Sequence, residues 1–231
     1  MSTLAVEASD LGRRFGRRWS LARVELAVPQ GHRLLIVGAN GSGKTTLVRT
    51  VATLWAPSRG TLRIFGLDPV KQRFQARQQL ALLSHQPGLY EDLSGTENLA
   101  LTLRMQGRRD LDAIPGLLDA VQLDARPDPV RTYSAGMRKR LAFARLLAQR
   151  PRLALIDEPY GQLDPAGFEL VDGLLDRLHA DGVTTLVASH LVGRAAQRAD
   201  EALLLEEGQV RWQGPAGDVT RAWKALHGTD S

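Results

Sequence analysis

Residues 34–46 read Leu34-Leu35-Ile36-Val37-Gly38-Ala39-Asn40-Gly41-Ser42-Gly43-Lys44-Thr45-Thr46. Four apolar residues in a row, stopped by a glycine, mark a strand covered on both faces, as strands of parallel sheets are. Residues 45–54 then carry helical spacing. Between strand and helix, 38–45 fit the pattern G-x-x-x-x-G-K-[ST], a loop whose backbone N–H groups turn inward around phosphate oxygens. The helix behind it adds its positive N-terminal end. Gly38, Gly41 and Gly43 permit the turn, and Asn40, Ser42 and Thr46 complete the phosphate-facing set. Lys44 is expected to reach the β/γ-phosphates, and Thr45 to ligate Mg²⁺.

Outward from this loop, short apolar runs at 4–6, 24–28 and 61–65 alternate with turn residues and read as strands. Further along, 153–156 and 184–189 read as two more buried strands with a helix over about 165–180 between them, a βαβ unit that implies a parallel sheet. Residues 97–150 are helical in pattern, interrupted by Pro115, Pro127 and Pro129, with a loop over 127–131. A hairpin is expected at Glu207-Gly208 and a short, frayed helix in the tail. The expectation is a single α/β domain: a three-layer core over about 1–87 and 151–231, a β-rich edge at its N-terminal side, and an inserted helical lobe over about 88–150.

Composition narrows the chemistry. A chain of 231 residues with 43% hydrophobic and 24% charged residues buries a real core, so disorder is excluded as its main state. The net charge of +5, from 30 basic against 25 acidic residues, is compatible with nucleic acid, a membrane surface or phosphate ligands. The cluster Arg13, Arg14, Arg17, Arg18 reads as a solvated face. With no cysteine there is no disulfide, thiolate metal site or cysteine nucleophile, which suits a reducing, cytoplasmic setting. The N-terminus lacks the pattern of a secretory signal, and no apolar run approaches the ~18 residues of a membrane span, so contact with a membrane is expected only through a partner or the surface.

A second motif is Leu153-Ala154-Leu155-Ile156-Asp157-Glu158, a buried strand with two carboxylates at its end. Asp157 is placed to hold Mg²⁺ and Glu158 to polarise an attacking water. The chain lacks the N-K-x-D guanine reader of a GTPase. Tyr133-Ser134-Ala135-Gly136-Met137 opens another helix, a second N-terminus suited to an anion. A head-to-tail dimer with two ATP molecules between its subunits uses both.

These motifs, in this order, resemble the nucleotide-binding subunit of ATP-binding-cassette transporters over essentially the whole chain. The resemblance implies a P-loop NTPase cassette with a parallel-sheet core, an N-terminal antiparallel β-subdomain and an inserted helical subdomain. It implies Mg²⁺-dependent ATP hydrolysis with Glu158, His190 and Lys44 as the catalytic set. By the same resemblance Phe15 stacks on adenine, with Trp19 the alternative in its place, and Gln86 lies between the γ-phosphate and the membrane partner as a further metal ligand. Ser134 and Gly136 contact ATP on the opposite subunit, Asp164 belongs to the dimer-interface loop, and His190 contacts the γ-phosphate. The chain departs from the family's usual Leu-Ser-Gly-Gly-Gln at Ala135 and Met137, and from its usual Ser-Ala-Leu-Asp at Gly161-Gln162.

Within the family, Ser84 to Leu99, Val130 to Met137 and Arg13-Arg14-Phe15-Gly16-Arg17-Arg18-Trp19 are similar to the haem-exporter ATPase of cytochrome c maturation. Drug and polysaccharide exporters share the Gly136-Met137 continuation and the short helical segment, and form the alternative. A soluble DNA-linked cassette ATPase is the remote one. The resemblance implies a homodimer on integral membrane permease subunits, peripheral at the cytoplasmic face of the inner membrane. No direct contact with nucleic acid is expected, and none with haem, because Cys-x-x-Cys-His is missing and the five histidines are dispersed.

Overall fold

The computed structural model describes residues 3–86, 88–109 and 111–228. Two sheets organise it. In the smaller, β1 (Leu4–Phe15) lies between β2 (Arg18–Pro29) and β4 (Arg59–Ile64), antiparallel to both. The larger contains β3 (Arg33–Val37), β5 (Leu80–Leu83), β6 (Leu153–Asp157), β7 (Thr184–Ala188), β8 (Glu201–Glu206) and β9 (Gln209–Pro215). Its order is β5-β6-β7-β3-β8-β9, parallel throughout except for the final β8–β9 hairpin.

The continuous apolar runs are explained by what covers the central strands. Along β3, Leu35 and Val37 join one buried cluster while Leu34 and Ile36 join another. Along β6, Ala154 and Ile156 face the first cluster and Leu153 and Leu155 the second. Side chains alternate across a strand, so a sheet covered on both faces needs apolar residues at every position. One cover is α1 (Lys44–Val51) with the small sheet. The other includes α6 (Pro165–Ala180) and the helices between β5 and β6: α3 (Gly95–Met105), α4 (Ile114–Asp119) and α5 (Ala135–Ala148).

Local chemistry starts these helices. Ser94 caps α3 and forms a reciprocal box with Glu97, while Asp164 caps α6 by accepting the Gly167 N–H at 2.8 Å, with Pro165 next in line. Two short helices, α2 (Arg73–Gln78) and α7 (Val192–Ala196), add to the expected set, and α8 (Val219–His227) forms the tail. The strands β1 and β2 run well beyond the expected 4–6 and 24–28. Between them Arg13 sits over the Phe15 ring at 4.6 Å and donates to the Ala56 carbonyl, so this part of the arginine cluster packs rather than standing free in solvent. Among the described residues, no helix is long and apolar enough to cross a membrane.

Candidate functional site

The carboxyl ends of β3, β6 and β7 open onto one cleft, the edge at which parallel sheets place ligands. Backbone geometry there demands glycine. Gly43 has φ +112° and a Cβ on it would stand 2.6 Å from the Ser20 carbonyl oxygen; at Gly38, with φ +155°, it would stand 2.2 Å from that of Leu205. Helix α1 then begins with no side-chain cap, so its first N–H groups face the cleft without one. Lys44 is 7% exposed and curls over the loop, donating from Nζ to Gly38 O at 2.7 Å and Ala39 O at 3.0 Å. Burial lowers the pKa of this ammonium, and the carboxylates of Glu158 and Asp157 oppose the shift.

Asp157 ends β6 almost fully buried, with its Oδ1 lacking a hydrogen-bond partner. Burial pushes its carboxyl up, and a hydrogen bond from the Thr45 side chain works the other way. Ser42 Oγ is likewise buried without a partner. Two orphaned oxygens, an uncapped helix start and a turn that only glycine fits are what a phosphate chain with Mg²⁺ requires, and the residues present fit that pair. Lys44, Thr45, Asp157 and Glu158 line the same cavity of about 330 Å³, with Asn40, Gly41, Gly43 and Thr46. Thr46 also pairs with the Ser20 hydroxyl at 2.7 Å.

Glu158 has φ +54°, a left-handed conformation, and its Oε2 lies 2.7 Å from His190 Nδ1. The two come from the ends of adjacent strands, β6 and β7. Their segments are tied again behind the cleft: the buried Tyr160 hydroxyl donates to Asp172 at 2.8 Å, and Arg194 on α7 donates to the same carboxylate from Nε at 2.8 Å.

The remaining expected site residues lie elsewhere. Gln86 is exposed on a bend and does not line the phosphate cavity, whereas His85 does. Phe15 is 42% exposed, edge-on to Trp55 at 4.9 Å, and lines a neighbouring cleft of about 850 Å³ with Trp19 and loop residues 39–42. Ser134 caps α5 by accepting the Met137 N–H at 3.2 Å. With Gly136 and Asp164 it lines a separate depression of about 380 Å³ that shares no lining residue with the phosphate cavity.

Sequence reading passed over Lys139. It is 5% exposed on α5 and donates from Nζ to the Glu158 carbonyl at 2.7 Å. Burial pulls its pKa down to about 8, while Asp157 and Glu158 work against the shift. Within Arg138-Lys139-Arg140 it looks like part of a solvated run. The available signal was spacing: Lys139, Ala142, Phe143 and Leu146 follow the i, i+3, i+4, i+7 period of a buried helical face, and all four are buried.

Comparison with known proteins gives the family. Residues 21–161 match the ABC transporter family. The chain is 34% identical, over 94% of its length and 67% of the relative's, to the daunorubicin/doxorubicin resistance ATP-binding protein DrrA of Streptomyces peucetius. It is 30% identical, over 89% of its length and 67% of the relative's, to the bacitracin transport ATP-binding protein BcrA of Enterococcus faecalis. It is also 35% identical, over 91% of its length and 59% of the relative's, to the sulfate/thiosulfate import ATP-binding protein CysA of Ralstonia nicotianae. Among solved structures, an ATP-binding subunit of an ABC transporter superposes with a TM-score of 0.87 at 27% identity, covering 99% of this chain and 96% of the other. The chain thus belongs to the ABC transporter family: it is an ATP-binding cassette that hydrolyses ATP with Mg²⁺.

Proposed function

We propose that the chain is the ATPase subunit of a small-molecule exporter of the drug-resistance kind, working as a head-to-tail homodimer beneath membrane permease subunits at the cytoplasmic face of the inner membrane. The relatives from Streptomyces peucetius and Enterococcus faecalis, named for daunorubicin/doxorubicin resistance and bacitracin transport, support the export reading. Haem export in cytochrome c maturation is the second reading, favoured by the phrases at 84–99 and 130–137. Mass spectrometry of proteins that copurify with the tagged chain from gently solubilised membranes separates the two. Recovery of cytochrome c maturation proteins selects haem, and recovery of an exporter permease unrelated to them selects the drug-type exporter. A solute importer's permease would overturn export altogether.

The mechanism rests on the unpartnered Asp157 Oδ1 beside Thr45 and Lys44. Thr45 and Asp157 hold Mg²⁺, which when bound neutralises charge on the transferring phosphoryl group. Lys44 exchanges its bonds to the Gly38 and Ala39 carbonyls for phosphate oxygens, helped by the amides of 41–46. Glu158 polarises the attacking water, and His190, hydrogen-bonded to it, holds that carboxylate and meets the γ-phosphate. Gln86 lies on the bend at 85–86, outside the lining of this cavity, and in this reading it is the contact that senses the permease. Phe15 offers its exposed face to the adenine, and Ser134, Gly136 and Asp164 close over the partner's nucleotide.

Replacing Glu158 by Gln keeps the shape and removes the base. Turnover is expected to fall roughly 10²- to 10⁴-fold with ATP binding intact and a nucleotide-trapped dimer visible by size-exclusion chromatography with light scattering. Native-like turnover in this variant would remove Glu158 from the mechanism.

A further inference from the structure

An ammonium at 5% exposure on the buried face of a helix is costly unless it is hydrogen-bonded, and Lys139 spends its bond on a backbone atom of the cleft. That atom, the Glu158 carbonyl oxygen, belongs to a residue at φ +54°. A side-chain-bearing residue in this conformation is strained and persists only where its surroundings over-determine it. Three contacts do so here. The Glu158 N–H donates to Ala188 O at 2.8 Å, the carbonyl accepts Lys139 Nζ at 2.7 Å and, more weakly, the Gly161 N–H at 3.4 Å. The first comes from β7 and the third from the same loop, so Lys139 is the tie from the helical segment.

We propose that Lys139 is a positioning residue for hydrolysis: by clamping the Glu158 carbonyl it fixes the backbone turn that presents the Glu158 carboxylate to the phosphate cavity. The inference rests on the reading of Glu158 as the group that polarises water. It also gives α5 two roles, since the helix that carries Ser134 and Gly136 at its start, beside the second depression, holds the first cavity's carboxylate through its next turn. A shift of α5 on closure is then transmitted to Glu158 by one hydrogen bond.

Two substitutions test the clamp in the full chain. Lys139→Met keeps the bulk and removes the donor, whereas Lys139→Gln removes the charge and keeps an N–H donor near the same place. Lys139→Met is expected to lower kcat about 100-fold, the scale of a displaced catalytic group, with the Kd for ATP within about twofold of native. Lys139→Gln is expected to stay within about threefold of native. Turnover of Lys139→Met near the native rate, or Lys139→Gln as slow as Lys139→Met, overturns the proposal, the second because charge or packing would then be what matters. Should Lys139→Met fail to bind ATP, Lys139→Gln decides alone: near-native turnover supports the clamp and a large loss overturns it. Glu158→Gln assayed beside them keeps two failures apart. If it is active, the reading of Glu158 falls; if it is inactive while Lys139→Met is active, only the clamp falls.

Discussion

At the scale of single residues, the phosphate loop is limited by carbonyl oxygens that leave no room for a side chain. Gly43 combines φ +112° with a site 2.6 Å from the Ser20 oxygen, while Gly41, at φ +80°, has nothing within 4 Å of its missing Cβ. The two positions therefore separate strain from collision. Gly41→Ala bears only the left-handed backbone, on the order of 1 kcal/mol, whereas Gly43→Ala must also push the loop away from β2 and is expected to lose about 2–3 kcal/mol. Thermal unfolding should rank them, with the midpoint of Gly43→Ala lower by roughly 5–10 °C and that of Gly41→Ala by less than half as much. Equal shifts would show that the Ser20 contact does not constrain the loop. This is also where sequence was most legible: Gly43, Lys44, Thr45 and Asp157, picked out by motif spacing, line one cavity. His85 and Lys139 were not, because a histidine on a bend and a lysine between two arginines match many surfaces equally well.

Elements meet the core through a few polar ties, and the one at the foot of β3 is titratable. Arg33, the first residue of β3, donates from its backbone N–H to Asp200 Oδ2 at 2.8 Å and from its guanidinium to Oδ1 at 2.9 Å, just ahead of β8. Burial alone would push the Asp200 carboxyl up, but the bonds from Arg33 outweigh it and hold the carboxyl below the ordinary carboxylate range. A carboxylate whose pKa is depressed on folding releases its proton more readily in the folded state. Its contribution is present above the unfolded pKa of about 4 and is lost as pH falls through the lower folded value. Asp200→Asn is expected to lower unfolding stability by about 1 kcal/mol at pH 7, modest because the pair is partly exposed, with the gap to native closing below about pH 4. Urea titrations at several pH values would read this, and a gap constant down to pH 3 would refute it. Element boundaries were legible where a cap marks them: Asp164-Pro165 opens α6 at the expected residue and Ala180 closes it. The helices α2 and α7, six and five residues long, are too short to show a period, and exposed alternate positions hid the full reach of β1.

The whole molecule carries two depressions suited to an anion, one at the start of α1 and one at the start of α5, that share no lining residue. Among the described residues of a single chain, the Ser134 hydroxyl serves as a helix cap. A two-fold dimer that sets each phosphate loop against the other chain's Ser134 and Gly136 turns the two half-sites into two complete ones. This arrangement makes a prediction that a monomeric ATPase does not share. Lys44→Ala and Ser134→Arg subunits are each expected to be inactive as homodimers, since every site then lacks one half. In a heterodimer of the two, one site carries both defects and the other is native, built from Lys44 of the Ser134→Arg chain and Ser134 of the Lys44→Ala chain. Random mixing makes about half of the dimers mixed, each with one of two sites intact, so turnover should recover to about a quarter of native if the sites act independently. Recovery well below that, with heterodimers demonstrated by mass, would mean that both sites must fire together. Activity in the Ser134→Arg homodimer would remove the second half-site from hydrolysis.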